Sequence, residues 1–314
     1  MGAISVIIVN WNAREDLCAC LRSLADQTDH AFQTIVVDNG SSDGSEAAVR
    51  AEFPWVEIVQ TGANLGFAEG CNQGLAVATG DWIATLNNDT FVDPAWIAEL
   101  RATALSSPPE VGMLQSRMVF KTDKGRINST GLLLYKDGSA EDRDFDTPVR
   151  EDEEGDAVFC PTAGAALYRR AMLDQTRLAS GWFDRDYFMY CEDVDLGWRC
   201  RLAGWEARYV PSALVAHAFQ GSSKLRERSF IGLHLKRNRL RTLLKNASVP
   251  FLVKALPRTL LDLGRAFTQG GPLVLPSFAI AVRDGLVQRR AVSALSRVPR
   301  LEVEQRWAVK RRRS

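Results

Sequence analysis

A chain of 314 residues with 46% hydrophobic and 25% charged side chains can bury a large core, and this balance excludes an unfolded or fibrous polymer. Its net charge of +1 conceals a division: residues 1–223 carry 18 Lys and Arg against 33 Asp and Glu, whereas residues 224–314 carry 21 against 5. An acidic body of residues 1–223 with a basic region of residues 224–314 predicts two units, the second meeting an anionic partner such as membrane phospholipid or nucleic acid.

The first residues enter an apolar strand at Ser5–Val9, which predicts no signal peptide. Ala13–Ala25 follows with Leu17, Leu21 and Leu24 at helical spacing. Cys18 and Cys20 fall inside that helix, and the six cysteines show no zinc-type or redox pairing, so reduced structural thiols of a cytoplasmic protein are expected. Thr34–Val37 is a second strand, Ser45–Glu52 a helix, Val56–Val59 a third strand, Ala68–Ala78 a helix and Trp82–Leu86 a fourth strand. Short apolar strands alternating with amphipathic helices predict an α/β fold with a mainly parallel sheet and helices on both faces. Beyond Pro94, a helix over Ala95–Leu105 precedes shorter strand-like pieces to about Tyr168. Glu141–Asp156 reads as an acidic exposed loop, and Val194–Leu202 as a helix. Three amphipathic helices are expected from Ser229 onward, broken near Pro250 and Gly270–Pro276. No apolar run reaches the ~18–20 residues of a spanning helix.

Polar clusters stand just past the carboxyl ends of three strands: Asn10–Asn12, Asp38–Asp43 and Asn87–Asp89. Open α/β sheets bind ligands at that edge, and oxygen ligands there suit a hard divalent cation on a diphosphate. Asp38, with Asn39 beside it, is placed to accept a pyrimidine imide N–H or a ribose hydroxyl, although the same residues make ordinary turns and helix caps. Asn64 and Asn72 belong to a second Gly/Asn loop entering a helix, a place for phosphate or nucleotide or simply a capped end. His217 follows an apolar run and reads as a metal ligand, a diphosphate contact or a packed strand histidine. Lys224 and Arg226 are candidates for the diphosphate when a loop closes. Of the aromatic cluster Trp182, Phe183, Tyr187, Phe188 and Tyr190, one or two are expected to line a sugar site and the rest to be core.

In this order, Val6–Trp11, Val37–Ser45, Asn64–Gly74, Leu86–Thr90 and Tyr190–Gly204 resemble the motifs of the family 2 glycosyltransferases of the GT-A fold. Pro161–Tyr168 and Asn238–Asn246 are similar to the bacterial rhamnosyltransferase branch, which builds cell-surface glycans. The resemblance implies that Asp38 reads the base, and that Asn88 and Asp89 stand in the family's Asp-x-Asp position for Mg²⁺ or Mn²⁺ and diphosphate. Only one carboxylate remains in that position; Asn87 and Asn88 are left to hydrogen-bond ribose or phosphate, as Asn10 is from the neighbouring strand. It further implies that the acidic pair Glu192-Asp193 supplies the base for the acceptor hydroxyl, with Asp193 as base and Glu192 orienting it. A helix start that favours acids for dipole reasons is the alternative.

The resulting expectation is an inverting glycosyltransferase, cytoplasmic and peripheral on the inner membrane face, moving a sugar from a dTDP- or UDP-sugar to a lipid-linked or polysaccharide acceptor in cell-wall or polysaccharide synthesis. Rhamnose from dTDP-rhamnose is the first choice; a catalytically silent nucleotide-sugar-binding protein is the alternative from another class. Clusters at Arg237–Arg241 and Arg311–Arg313, with apolar helices at Phe251–Leu263 and Leu273–Val282, predict membrane-surface binding ahead of a homodimer interface. No recognition motif for nucleic acid is present.

Overall fold

The computed structural model describes residues 2–150, 155–219 and 225–311. In chain order the elements are β1 (Ile4–Asn10), α1 (Arg14–Ala25), β2 (Phe32–Asp38), α2 (Ser45–Glu52), β3 (Glu57–Gln60), α3 (Gly66–Val77), β4 (Trp82–Leu86), β5 (Thr90–Val92), α4 (Trp96–Ser106) and β6 (Val111–Phe120). They continue with β7 (Ile127–Ser129), β8 (Leu132–Tyr135), β9 (Ala140–Asp142), β10 (Ala165–Arg169), α5 (Arg170–Gln175), α6 (Glu192–Leu202) and β11 (Glu206–His217). The last are α7 (Leu225–Asn246), α8 (Val249–Gly270), α9 (Leu275–Leu295), α10 (Arg300–Trp307) and β12 (Ala308–Val309).

The main sheet runs β3-β2-β1-β4-β10-β6-β11-β5, with β7 added on β6. Its first half is parallel, as the alternating pattern predicts. The second half is mixed, because β10 lies antiparallel to both β4 and β6, and β5 antiparallel to β11. Period-two alternation sends Ile4, Val6 and Ile8 to one face, where they meet Leu17, Leu21 and Leu24 of α1 and Trp96, Ile97 and Leu100 of α4. Ile7 points to the other face and packs with Ala68, Cys71 and Leu75 of α3 and with Trp198 and Cys200 of α6. Gly70 and Gly74 let α3 sit directly on β1: an added Cβ would come within 2.6 Å of Val9 and 2.5 Å of Ile7. All six cysteines are free, and five are buried.

The C-terminal helices share the body's core. Phe251 of α8 packs edge-on against Trp198, Trp307 lies against Phe159, and β12 pairs with β8 in a small sheet of β12, β8 and β9. Pro250 falls in the first turn of α8, where its missing N–H costs nothing, and Ser248 caps that turn through the Phe251 N–H. The Glu304 carboxylate accepts from both the backbone N–H and the hydroxyl of Ser248, tying α10 to the same cap.

The basic cluster at Arg237–Arg241 corrects an expectation, because two of its cations face inward. Arg239 pairs with Asp262 at 3.3 Å, and Arg241 pairs with Asp186 at 2.6 Å and Asp284 at 3.1 Å. Their partners are carboxylates of the chain itself, Asp186 in the body and Asp262 and Asp284 on α8 and α9. Arg312 and Arg313 lie outside the described residues. No described helix is long and apolar enough to cross a membrane.

A buried charge network sits where α6 meets α7. The Lys245 ammonium lies 2.7 Å from Asp184 and 2.8 Å from Asp195, and Arg199 pairs with Asp195 at 3.0 Å. Burial pushes the Asp184 carboxyl up, but Lys245 and Arg241 outweigh it and hold the group at about 2. A depressed carboxyl stabilises the fold fully above the unfolded value and loses that contribution as pH falls. Acid unfolding should therefore show a stability decline between about pH 4 and pH 2, shallower in Asp184→Asn when followed by circular dichroism; an identical slope would remove Asp184 from the account.

Candidate active site

The carboxyl edge of the parallel strands brings the polar clusters together. Register places Asn10 beside Asp38, and Asn10 Oδ1 accepts a hydrogen bond from Asn88 Nδ2 at 2.8 Å. One Asp38 oxygen accepts from the Ser41 N–H at 3.4 Å, and the other, Oδ1, is buried without a partner. Asn39 is a strut: its amide bonds to the Gly66 carbonyl, and its oxygen receives Thr61 and Leu65. The exposed Asn64 accepts from the Gly66 N–H at 3.0 Å. Asn72 departs from its expected place, because its amide is held by the Phe183 backbone N–H and carbonyl at 3.0 and 2.9 Å. It clamps α3 to that loop and is not in the lining of the nucleotide-side cavity. Lys224 lies outside the described residues.

Two cavities meet here. A space of about 550 Å³ is lined by Trp11, Asn39, Asn64 and Asn88, with Phe67, Met189 and Tyr190 as its inner wall. Those three residues also bound a second cavity of about 410 Å³ that contains Asn87, Asp142, Glu192 and Asp193. Of the aromatic cluster, Phe188 and Tyr190 line cavities, whereas Phe183 and Tyr187 are buried core.

Asp89 and His217, 128 residues apart, meet because β5 pairs with the end of β11; Asp89 Oδ1 lies 3.1 Å from His217 Nε2. The other ring nitrogen, Nδ1, lies 2.9 Å from Asn128 Oδ1. When Nδ1 carries its proton toward Asn128, Nε2 presents a lone pair to a carboxylate, and two facing acceptors need a proton or a cation between them. Among the described residues no group of three or more His, Cys, Asp or Glu is arranged around a metal position. A carboxylate and an imidazole fit a cation that takes its remaining oxygens from a substrate diphosphate and water.

The acidic pair opens α6 on strained backbone. Phe188, Tyr190 and Cys191 all have φ between 64° and 69°, a region non-glycine residues occupy only when their surroundings enforce it. Two contacts do so. Gly66, itself at φ +83°, lets α3 approach so closely that an added Cβ would lie 2.4 Å from the Phe188 carbonyl. Asn238 of α7 donates through its amide nitrogen to the carbonyls of Tyr187, Met189 and Tyr190 at 2.8–3.0 Å. Asn238→Ala should therefore release the loop; a rise in amide hydrogen exchange at residues 187–191 would register it, and unchanged protection would contradict it.

Within the pair, the environments differ. Burial raises the Asp193 carboxyl, but N–H groups of Val194 and Ala163 donate to it at 2.8 and 3.3 Å and favour its ionised form. Burial and the adjacent Asp193 push Glu192 well above the usual carboxylate range, and its Oε2 is buried without a partner. Asp193 is thus the member that ionises first.

Asp142 was missed. It falls in the stretch expected to be an exposed acidic loop, yet β9 pairs with β8 and carries Asp142 into the 410 Å³ cavity. Burial, opposed by the Ser129 hydroxyl, and the nearby Asp193 push it up to about 6, with His217 pulling the other way. Nothing in the local sequence signals this, because β9 lacks an apolar run.

The profile described as glycosyl transferase family 2 matches residues 5–177, more than half of the chain. The chain belongs to glycosyl transferase family 2. This glycosyltransferase is 29% identical over 266 residues to the N-acetylglucosaminyl-diphospho-decaprenol L-rhamnosyltransferase of Mycobacterium tuberculosis, covering 74% of this chain and 81% of that one. It is 27% identical over 217 residues to the uncharacterized glycosyltransferase YwdF of Bacillus subtilis, covering 69% and 74%. Its fold is GT-A. The mannosyltransferase PcManGT of Pyrobaculum calidifontis, solved with GDP-Man and Mn²⁺, superposes with a TM-score of 0.56 at 18% identity, covering 96% of this chain and 78% of that one. GalNAc-T7, solved with UDP, GalNAc and Mn²⁺, gives 0.58 at 14% identity, covering 87% and 58%.

Proposed function

We propose that this glycosyltransferase inverts the sugar it transfers from a nucleoside diphosphate donor to a lipid-linked or polysaccharide acceptor, with rhamnose from dTDP-rhamnose the first donor to test. The observation that carries the reading is the common wall of the two cavities, with the nucleotide-side amides in one and the acidic pair in the other. Similarity to the mycobacterial rhamnosyltransferase supports the sugar and the lipid diphosphate acceptor. A UDP-sugar donor is the second reading, favoured by nothing specific in the cavity.

On this reading the unpartnered Asp38 oxygen awaits the base N–H, and Asn88 and Asn10 face ribose or phosphate. Asp193 takes the proton from the acceptor hydroxyl as that oxygen attacks the anomeric carbon and the nucleoside diphosphate departs from the opposite side. Glu192, protonated, orients the acceptor. Asp89 and His217 would hold Mg²⁺ or Mn²⁺, which when bound offsets charge on the departing diphosphate. Residues 1–223 act as the catalytic domain and residues 224–314 as its helical partner at the membrane surface. Val249, Val253, Leu256 and Leu260 form an exposed apolar stripe along α8, which supports a peripheral seat on the inner face of the cell membrane.

Asp89→Ala tests the donor side. In the unchanged protein, dTDP or UDP at about 100 times its dissociation constant should add about 2.7 kcal/mol of stability, read as a metal-dependent rise in melting temperature. The substitution should abolish the metal-dependent part. A shift that stays metal-dependent and undiminished would remove Asp89 from the site.

The acid limb of activity has a defined sign. Asp193 works only when deprotonated and is raised by burial, so kcat/KM should rise with pH through a value above that of an ordinary aspartate. A limb at an ordinary aspartate value would contradict the assignment.

A further inference from the structure

A third cavity, of about 370 Å³, opens between α7, α8 and the turn joining β8 to β9. It shares Ala140, Glu141, Cys191, Val194 and Leu235 with the cavity of the acidic pair and none of the residues lining the nucleotide-side cavity. The three spaces thus form a series: amides and Asn88 at one end, Glu192 and Asp193 in the middle, and this cavity at the other end.

Its lining is cationic, with Lys236, Arg239, Arg258, Arg265 and Arg311 against Glu141 and Asp262. The two acids are already engaged, Asp262 with Arg239 and Arg258, and Glu141 with Arg311. Arg265 makes no ion pair among the described residues, and Lys236 reaches only the neutral Gln269 oxygen, at 2.8 Å. Arg239 is 7% exposed, and its Nε–H is buried with no acceptor. Burial, with Arg265 and Arg258 nearby, depresses the Lys236 ammonium against the pull of Asp262. Surplus cations and an unused buried donor beside a reaction cavity describe a seat for a multivalent oxyanion.

We propose that this cavity binds the diphosphate of a lipid-diphosphate-linked sugar acceptor, so that the sugar lies in the middle cavity against Asp193. The proposal rests on the glycosyl-transfer reading above and adds to it the place where the acceptor's diphosphate sits and the residues that select it. A donor diphosphate belongs beside Asp89 and His217, neither of which lines this cavity. An acceptor whose sugar lies between the two ends carries its own diphosphate toward Lys236 and Arg265. An uncharged acceptor would leave these cations unused.

The test uses the full chain with its nucleotide site filled by saturating dTDP and Mg²⁺, and farnesyl diphosphate as the probe in a calorimetric titration. Farnesyl diphosphate should bind at one site and farnesol far more weakly. Lys236→Gln combined with Arg265→Gln removes two half-buried or exposed charges that hold no ion pair, so the fold should persist. This variant should weaken farnesyl diphosphate binding by at least about tenfold, as losing hydrogen bonds to a charged group does. Its dTDP affinity should not change. Equal binding by variant and parent, or no binding by the parent, overturns the proposal. Equal displacement of the probe by phosphatidylglycerol vesicles at matched phosphate also overturns it and assigns the cations to membrane headgroups. If the parent binds the probe here but transfers no sugar to any lipid diphosphate acceptor, the transfer reading fails and the anion seat stands.

Discussion

Asp193→Asn is expected to reduce transfer by about 10²–10⁴ while leaving nucleotide binding intact, because the amide keeps the shape of the base and removes its proton affinity. The Val194 N–H can still donate to the amide oxygen, and only the longer bond from Ala163, which goes to the other carboxylate oxygen, is lost, so the loop geometry should be largely retained. Glu192→Gln should cost less, since on this account Glu192 is already protonated and only orients the acceptor. Comparing kcat for the two variants, with donor affinity measured separately, decides between them. If Glu192→Gln were the more damaging and Asp193→Asn nearly silent, the roles would be reversed.

Lys245→Met should destabilise the fold by roughly 3–5 kcal/mol, the cost of leaving one side of a buried ion pair without its partner. Two carboxylates, Asp184 and Asp195, face that ammonium in a region closed to solvent, and Arg199 compensates only Asp195 directly. In urea titrations the midpoint should fall without a change in slope. Combining Lys245→Met with Asp184→Asn should recover part of the loss, because one uncompensated charge is then gone. Additive losses in the double variant would mean that the two side chains are not coupled. The same network positions the acidic pair, since Asp195 lies on α6 just after it and Asn246 of α7 donates to Asp195 at 2.8 Å.

The parallel half of the sheet was legible because its signals are local. β4 and α2 fall on the residues that hydrophobic spacing indicates, and the remaining early elements differ by one or two residues at their ends. The second half was not, because β6 takes β10 and β11 as partners from distant parts of the chain and its ten residues read as fragments. The clusters around Asn10, Asp38 and Asn87–Asp89 were visible for the same local reason, each ending a buried strand. Asp142 was hidden by the polar sequence around it, and the left-handed backbone at Phe188, Tyr190 and Cys191 has no sequence marker. The cations at Arg239 and Arg241 looked like a lipid-facing cluster because charge counts record sign and not direction. Arg241 and Lys245 reach Asp184 and so join the two oppositely charged parts of the chain, whereas Arg239 pairs with Asp262 inside the basic region.

The most direct measurement is the anomeric configuration of the product, read by NMR after the purified chain is incubated with dTDP-rhamnose, Mg²⁺ and a short-chain lipid diphosphate carrying N-acetylglucosamine. The account predicts transfer with the configuration opposite to that of the donor. Retained configuration, or no transfer from this or any other nucleotide sugar, would contradict it.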